Sequence, residues 1–247
     1  MRAERLIDVC AVPVEWLDRI DSSNGELLRR AETLPDRYVL LADQQSAGRG
    51  RRGRAWVSPP GANLYLSIFA RLPRPLAEWG GLSLAIGIAV AEALQAQGAR
   101  AVQLKWPNDL VVGADKLGGI LVEIAPGAAA VIGLGLNLAM PAEAAAAIDQ
   151  PWTDLRRLGL ASDVETQAGR LLPALLAAVD AFAGAGFAPF RSRWAALDAL
   201  REQEVRIVGG ERAGGRVLGI GADGALRLLD AQGEWLCRAG EVSVRRA

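Results

Sequence analysis

The chain has 247 residues, with 28 basic side chains, 28 acidic side chains, two cysteines and no histidine. A hydrophobic content of 51% supplies enough apolar side chains for a large core, which excludes a disordered chain. The absence of histidine excludes serine–histidine–aspartate and cysteine–histidine nucleophiles, and also histidine-ligated zinc or haem. Because the formal net charge is zero, we expect no overall attraction to nucleic acids or anionic membranes.

The sequence also predicts where the protein works. Cys10 and Cys237 are too few and too far apart to form a disulfide framework, which fits a reducing compartment. The first ten residues carry four charges and lack the apolar stretch of a secretory signal. The apolar stretch 82–94 is too short to span a bilayer and includes Glu92. We therefore expect a cytoplasmic protein without a membrane segment.

The first half of the chain predicts a mixture of helices and strands. Ser23 and Glu26 have the spacing of a capping box, which predicts a helix start. A strand at residues 38–42 follows, and then a polar loop rich in glycine and arginine at residues 44–61. A second strand at residues 63–70 and a buried helix at residues 82–97 come after the loop. Four short runs that favour strands come next, at residues 102–106, 110–112, 119–124 and 130–138.

The second half predicts two helices and then a small all-β unit. A capping box at Ser162 and Glu165 begins a long helix, in which we expect Pro173 to cause a kink, and Pro189 leads into a short helix over residues 191–200. Five brief strands separated by glycine turns follow, at residues 205–208, 215–220, 225–229, 235–238 and 242–244. We therefore predict a main domain, residues 1–203, and a small β-barrel docked on it, residues 204–247.

The glycine–arginine loop, residues 48–54 (GRGRRGR), is the first segment that indicates a function. Four arginines in seven residues could clamp an anion, because guanidinium groups bind phosphate or carboxylate bidentately and glycine lets backbone N–H groups approach. The segment is not a Walker A loop, since no Gly-Lys-Ser/Thr follows. Composition alone leaves open a phosphate site, nonspecific RNA binding and a merely solvated loop.

The second such segment contains both lysines of the chain. The other 26 basic residues are arginines, whereas Lys105 and Lys116 lie within twelve residues and flank a turn with Asn108 and Asp109. A lysine ammonium is a compact charge that can follow a developing charge where the rigid arginine fork cannot. The pair therefore indicates a catalytic role, with chance placement as the alternative. Asp109 could bind Mg²⁺, bind a ribose or an amine, or cap its own turn.

Two glycines lie inside a predicted strand, at Gly133 and Gly135. Glycine weakens a strand, so this pattern indicates that a ligand or another backbone comes close. A β-bulge is the alternative.

Six segments, in this order, resemble biotin protein ligases: DSSN (21–24), GRGRRGRAW (48–56), SPPGANLYLSI (58–68), KWPNDL (105–110), KLGGILVE (116–123) and GLGLNLAM (133–140). The terminal segment 241–245 also fits, so the resemblance extends from about residue 15 to 245. It implies an α+β fold, in which a mixed β-sheet is flanked by helices as in the class II synthetase-like biotin/lipoyl ligases. A C-terminal SH3-like β-barrel would follow this domain.

The resemblance also implies a two-step reaction. The biotin carboxylate attacks the α-phosphate of ATP with Mg²⁺, giving biotinyl-5′-AMP and pyrophosphate. A lysine of a biotin carboxyl carrier protein domain, part of a biotin-dependent carboxylase, then attacks the mixed anhydride and releases AMP. The composition agrees, because acyl-adenylate formation needs cations around the phosphates and no side-chain nucleophile.

Roles for individual residues follow from the same resemblance. It implies that Lys116 is catalytic, between the carboxylate and the α-phosphate, and that Arg51 guards the adenylate. It implies a biotin site made of Ser22, Ser23, Asn24, Gln45, Gly48, Arg49, Arg51, Lys116, Gly118, Gly119, Gly133 and Gly135. It implies a nucleotide site made of Arg51, Arg52, Arg54, Trp56, Asn108, Asp109, Lys116, Asn137 and Arg245. Asp109 is the candidate Mg²⁺ ligand.

Two departures from the family pattern carry further expectations. Ser23 stands where threonine is usual, which keeps the hydroxyl. We expect the chain to lack the DNA-binding N-terminal domain of the bifunctional members, so we predict no DNA binding; a homodimer is compatible with the resemblance. We expect the glycine–arginine loop to be disordered until biotin or the adenylate binds, because like charges repel and glycine adds entropy.

Three other functions compete with this prediction. A lipoate ligase or octanoyl transferase on the same scaffold is disfavoured, because the polar set at Ser22, Ser23, Asn24 and Gln45 would be unpaired against a plain acyl chain. A nucleic-acid-binding module is disfavoured by the zero net charge and the single short patch. A regulatory protein without activity is disfavoured by the intact two-lysine segment.

Overall fold

The structure is a computed structural model that describes residues 6, 11–160, 162–240 and 242–246. The sequence predictions that involve the start of the chain, Cys10 and Glu241 lie outside these residues. The strands are β1 (Val14–Ile20), β2 (Arg37–Gln45), β3 (Asn63–Arg71), β4 (Gln103–Lys105), β5 (Asp109–Val112), β6 (Asp115–Ala125), β7 (Ala129–Asn137), β8 (Glu204–Val208), β9 (Gly214–Ile220), β10 (Leu226–Asp230), β11 (Gly233–Cys237) and β12 (Ser243–Arg246). The helices are α1 (Ser23–Arg29), α2 (Leu82–Ala96), α3 (Ala142–Ala145), α4 (Val164–Ala185) and α5 (Arg191–Leu197).

The first seven strands form one mixed sheet in the order β1-β2-β3-β7-β6-β5-β4. The pair β1–β2 is parallel, and the other neighbours are antiparallel. Along β2, Leu40 packs in a cluster with Leu27 of α1, whereas Val39 and Leu41 pack in the cluster that contains α2 and α4. Because successive strand residues point to opposite faces, helices cover both sides of the sheet. This confirms the predicted mixed sheet flanked by helices.

The last five strands form a second, antiparallel sheet in the order β11-β10-β9-β8-β12. This arrangement is consistent with the predicted SH3-like unit, and its first strand starts at Glu204. The sheet contacts the β4–β5 turn, where the buried Trp106 indole donates to the Gly224 carbonyl at 3.0 Å. The contact places β12, which carries Arg245, beside the edge of the main sheet.

Helix α4 is the one helix of the described part of the chain that is long and apolar enough to cross a membrane. Half of its most apolar window is buried inside the protein. It packs on α2 and on β3, so its apolar side chains contribute to the main core. These contacts are those of a core helix.

Both predicted capping boxes place the N-cap wrongly by one residue, since it lies one residue earlier for α1 and one residue later for α4. The N-cap of α1 is Ser22, whose hydroxyl accepts a hydrogen bond from the Gly25 N–H at 3.2 Å, because the Ser23 hydroxyl is used elsewhere. The N-cap of α4 is Asp163, whose carboxylate binds both the backbone N–H and the hydroxyl of Thr166, each at 2.8 Å. A carboxylate offers two acceptor oxygens where a serine offers one, which explains the shift.

Several element boundaries were also wrong, among them the start of β6, which lies at Asp115 and not at residue 119. Strand β2 continues to Gln45, beyond the predicted end of the strand at residue 42, because parallel pairing with β1 reaches Gln44 and Gln45. Helix α5 ends at Leu197, because Asp198 takes an extended backbone and forms a bridge with Leu104.

Candidate active site

A cavity of about 530 Å³ opens between the glycine–arginine loop, strands β6 and β7, the β4–β5 turn and β12. It brings together most of the predicted site residues, from segments far apart in sequence: Ser22, Ser23, Asn24, Gln45, Arg49, Arg51, Arg52, Arg54, Trp56, Asn108, Asp109, Lys116, Gly119, Gly133, Gly135 and Arg245. A volume of this size suits a small-molecule ligand.

One end of the cavity is a hydrogen-bonded cluster that we call the polar floor: Ser22, Ser23, Asn24, Gln45 and Ser67. The Gln45 Oε1 atom accepts two bonds from Ser23, from its N–H at 2.8 Å and its hydroxyl at 3.0 Å. The Ser67 hydroxyl lies 2.6 Å from Asn24 Oδ1 and 2.8 Å from Ser23 Oγ. These contacts fix the orientation of the polar groups before any ligand arrives.

Ser67 was missed by the sequence analysis. It is fully buried, on the interior strand β3 next to the central strand β7, with its hydroxyl between Ser23 and Asn24. The available signal was a single polar residue inside an otherwise apolar strand, NLYLSIFA. Buried polar groups require partners, so such a serine indicates a polar neighbour across the sheet.

The floor keeps hydrogen-bonding capacity toward the cavity. The Gln45 amide nitrogen donates one bond, to Ser58 at 3.3 Å, and one of its two N–H groups has no partner among the described residues. The Ser22 hydroxyl accepts from Gly25 and keeps its own proton available as a donor. Asn24 uses both amide protons, toward the Leu121 carbonyl and the Glu123 carboxylate, and keeps one acceptor lone pair. A ligand head with both donors and acceptors would match this floor.

The glycines of β6 and β7 let side chains lie flat against the sheet. A Cβ atom on Gly133 would come within 2.4 Å of Asn24 Oδ1, and one on Gly135 within 2.5 Å of the Trp56 ring. A Cβ atom on Gly119 would lie 3.3 Å from the Lys116 ammonium. At Gly133 and Gly135 the close neighbours that require glycine are therefore side chains of the protein, whereas the sequence pattern had indicated a ligand or another backbone.

Three predicted site residues do not line the cavity. Gly48 is required by packing, since a Cβ atom there would lie 2.6 Å from Ser58 Oγ. A Cβ atom on Gly118 would lie 2.8 Å from the Gly135 carbonyl oxygen. Asn137 is buried and donates to the Thr153 carbonyl at 3.0 Å. Direct ligand contacts by these three residues stay predictions, and the structure gives each of them a packing contact instead.

Lys116 lines the cavity and is held there by contacts on several sides. Its ammonium is 2.6 Å from Asp109 Oδ1 and 5.4 Å from the centroid of the Trp56 ring. The β5–β6 hairpin sets this geometry. The Lys116 N–H donates to the Pro151 carbonyl, and the Lys116 carbonyl accepts from the Thr153 N–H, at 3.0 Å each. Only 18% of the side chain is exposed, so its charge acts in a medium less polar than water.

The Trp56 indole lies over Gly135 and has a buried N–H without a partner among the described residues. This group could donate a hydrogen bond to a bound molecule once its ring shifts.

Lys105 also lines the cavity, together with Arg245, although the sequence analysis assigned it no role of its own. Burial lowers the pKa of its ammonium. Asp109 opposes this shift, and the nearby cations Arg245, Lys116 and Arg246 add to it. The cluster formed by Lys105, Lys116, Arg245 and Arg246 is therefore strongly positive and suits a polyanion such as a nucleoside triphosphate.

The lowered pKa of Lys105 predicts a pH dependence. With a lowered pKa, the Lys105 ammonium loses its proton at a pH below 10.5, the ordinary lysine value. ATP affinity, measured by titration calorimetry, should therefore weaken as the pH rises toward that value. The Lys105→Arg variant keeps its positive charge over this pH range, so its affinity for ATP should change less with pH than that of the wild type. Identical profiles for the two proteins would show that Lys105 does not contact the nucleotide.

The glycine–arginine loop covers the cavity in this structure. Arg51 donates to the Gly240 carbonyl at 2.6 Å and to Asn108 Oδ1 at 3.3 Å, so it joins the loop to both the second sheet and the β4–β5 turn. Arg49 lies 3.3 Å from the Glu123 carboxylate. The expected disorder of the loop without ligand stays a prediction.

Comparison with known proteins identifies the family. Residues 16–137 match the model of the biotin/lipoate A/B protein ligase family. The chain is 44% identical over 242 residues to the bifunctional ligase/repressor BirA of Escherichia coli, covering 95% of this chain and 74% of that protein. The chain belongs to the biotin protein ligase family.

Two further relatives support this assignment across the whole fold. The biotin–[acetyl-CoA-carboxylase] ligase of Paracoccus denitrificans is 36% identical over 239 residues, which cover 92% of this chain and 98% of that ligase. The biotin protein ligase of Aquifex aeolicus, solved in complex with biotin and ATP, superposes with a TM-score of 0.82 at 28% identity. That match covers 95% of this chain and 99% of the other.

Proposed function

We propose that this biotin protein ligase activates biotin with ATP to biotinyl-5′-AMP and transfers biotin to a lysine of a biotin carboxyl carrier protein domain. The observation that carries the proposal is the position of Lys116. Its ammonium lines the same cavity as a preformed polar floor and the cations Lys105, Arg51 and Arg245. A neutral polar head and a polyanion could thus be bound on the two sides of one central ammonium.

The chemistry of biotin matches the floor. Its ureido ring presents one carbonyl acceptor and two N–H donors, and the floor offers donors at Ser22 and Gln45 and an acceptor at Asn24. A bare acyl chain would leave these groups unpaired, which disfavours lipoate or octanoate.

In the first step, a biotin carboxylate oxygen bonds to the α-phosphorus of ATP and pyrophosphate leaves. Negative charge grows on the phosphoryl oxygens, and a preorganised ammonium at Lys116 stabilises it without reorganisation. In the second step, the carrier lysine nitrogen bonds to the acyl carbon, and AMP leaves while the amine loses a proton. Arg51, which joins the loop to the second sheet, would keep water from the anhydride meanwhile.

The residues present suit a Mg²⁺ ion held mainly by the nucleotide. Among the described residues, no group of three or more His, Cys, Asp or Glu side chains could hold a metal alone. Lys116 engages one oxygen of the Asp109 carboxylate, and the other oxygen could serve as a ligand. Mg²⁺ commonly binds through one or two carboxylates plus substrate phosphates, and it would neutralise phosphate charge.

We further infer a cytoplasmic location, where carboxylases and ATP are available. A homodimer and the absence of DNA binding stay predictions.

A substrate panel tests the proposed reaction. Pyrophosphate release from ATP is measured without a carrier protein, with biotin, lipoate and octanoate in parallel reactions. We expect release with biotin alone. Release with lipoate or octanoate instead would keep the adenylation chemistry and overturn the substrate. The absence of pyrophosphate release with all three acids would contradict the proposed activity.

A further inference from the structure

Glu123, on β6, contacts two parts of the site that the proposed mechanism treats separately. Its carboxylate accepts a hydrogen bond from the Asn24 amide at 2.9 Å, in the polar floor. The same carboxylate lies 3.3 Å from the Arg49 guanidinium, in the glycine–arginine loop. The two partners come from segments 99 and 74 residues away in sequence. Glu123 is thus a direct link between the floor and the loop.

The geometry restricts what each partner can do. Asn24 is 4% exposed and has both amide protons committed, one of them to Glu123. Asn24 lies directly against Gly133, where a Cβ atom would come within 2.4 Å of its Oδ1. The floor therefore holds the Glu123 carboxylate at a fixed place. Arg49, by contrast, is 44% exposed on a loop rich in glycine, so the ion pair restrains the mobile partner.

We propose that Glu123 is a positioning residue that anchors the glycine–arginine loop to the polar floor and thereby sets how long the loop retains the activated intermediate. This inference rests on the proposed function, because it concerns the adenylate. When the Arg49 pair is lost, the loop opens more often and the adenylate escapes faster. Biotin affinity depends much less on the Glu123–Arg49 ion pair, because a glutamine at position 123 still accepts a hydrogen bond from Asn24.

The test measures adenylate escape. Biotinyl-5′-AMP is formed on the full chain, excess ligands are removed, and the free adenylate in solution is followed with time. We expect Glu123→Gln to escape about threefold faster at low salt, the size expected for a partly exposed ion pair. The KM for biotin should change less than the escape rate.

Three further measurements separate this link from a general structural effect. Arg49→Gln breaks the same pair from its exposed side, so the double variant should escape no faster than either single variant. At about 1 M salt, wild type and Glu123→Gln should converge, because screening weakens the pair in the wild type. Glu78→Gln, which breaks the Arg74–Glu78 ion pair away from the cavity, should leave escape unchanged.

Each outcome has one meaning. An escape rate for Glu123→Gln equal to that of the wild type, or single effects that multiply in the double variant, would overturn the link. Failure of the wild type to form any adenylate would instead contradict the proposed function.

Discussion

The Lys116→Ala variant should lose adenylation while remaining folded. We expect kcat for biotin-dependent pyrophosphate release to fall about 100- to 1,000-fold, the effect of deleting one preorganised group that stabilises a developing anion. The reason is position, because this ammonium lies in the cavity next to Asp109 and the Trp56 ring. A stopped assay of pyrophosphate at saturating biotin and ATP measures the loss.

The Lys116→Arg variant is the matched control. It keeps the positive charge, but its guanidinium is longer and planar and cannot copy an ammonium held 2.6 Å from Asp109. We therefore expect it to recover only a small part of the activity. Circular dichroism should show that both variants fold as the wild type does. A Lys116→Ala enzyme that releases pyrophosphate at the normal rate would show that another residue performs this role.

A single methyl group on the central strand should disable the polar floor. In Gly133→Ala, the new Cβ atom would lie 2.4 Å from Asn24 Oδ1, so Asn24 must move or the strand must shift. Asn24 is buried and bonded to Ser67, Leu121 and Glu123, so its displacement breaks several contacts together. We expect the free energy of unfolding to fall by about 1–3 kcal/mol, as for other overpacked interiors. Biotin affinity should weaken by about tenfold or more, since one lost hydrogen bond to a polar ligand group already has that effect.

The Gly184→Ala variant is its control. Gly184 is exposed on α4, and a Cβ atom there meets nothing within 4 Å. Alanine favours helices over glycine, so this variant should be more stable by about 0.5–1 kcal/mol and should bind biotin normally. Urea unfolding and biotin titration compare the pair. Normal biotin binding by Gly133→Ala would mean that Asn24 is not part of the biotin site.

The local elements were predictable because their signals are local. The segment NLYLSIFA makes up all of strand β3 except Arg71, and the apolar stretch 82–94 makes up most of α2. The five C-terminal strands were separated by glycine turns. Element ends were less predictable, because the residue that caps a helix depends on which of the neighbouring hydroxyl and carboxylate groups bond to other parts of the fold. Ser22 caps α1 only because Ser23 bonds to Gln45, a residue 22 positions away.

The site was predicted in outline through Lys116, the glycine–arginine loop and the serine–asparagine segment. What the sequence could not show were contacts between distant segments. Glu123 reaches Asn24 across 99 residues, and Arg51 reaches Gly240 across 189. Lys105 received no role because its environment, a buried position among cations, exists only after folding. Gly118 and Gly119 are neighbours in sequence, yet only Gly119 lines the cavity, since successive strand residues face opposite sides.

The measurement that tests the central claim most directly is the intact mass of a biotin carboxyl carrier protein domain after incubation with this chain, biotin and ATP. The proposed function predicts a mass increase equal to one biotin less one water, located on a single lysine and dependent on ATP. The Lys116→Ala chain should produce almost none of it over the same time. An unmodified carrier in the presence of wild-type chain, biotin, ATP and Mg²⁺, while a known biotin ligase modifies the same preparation, would contradict the account.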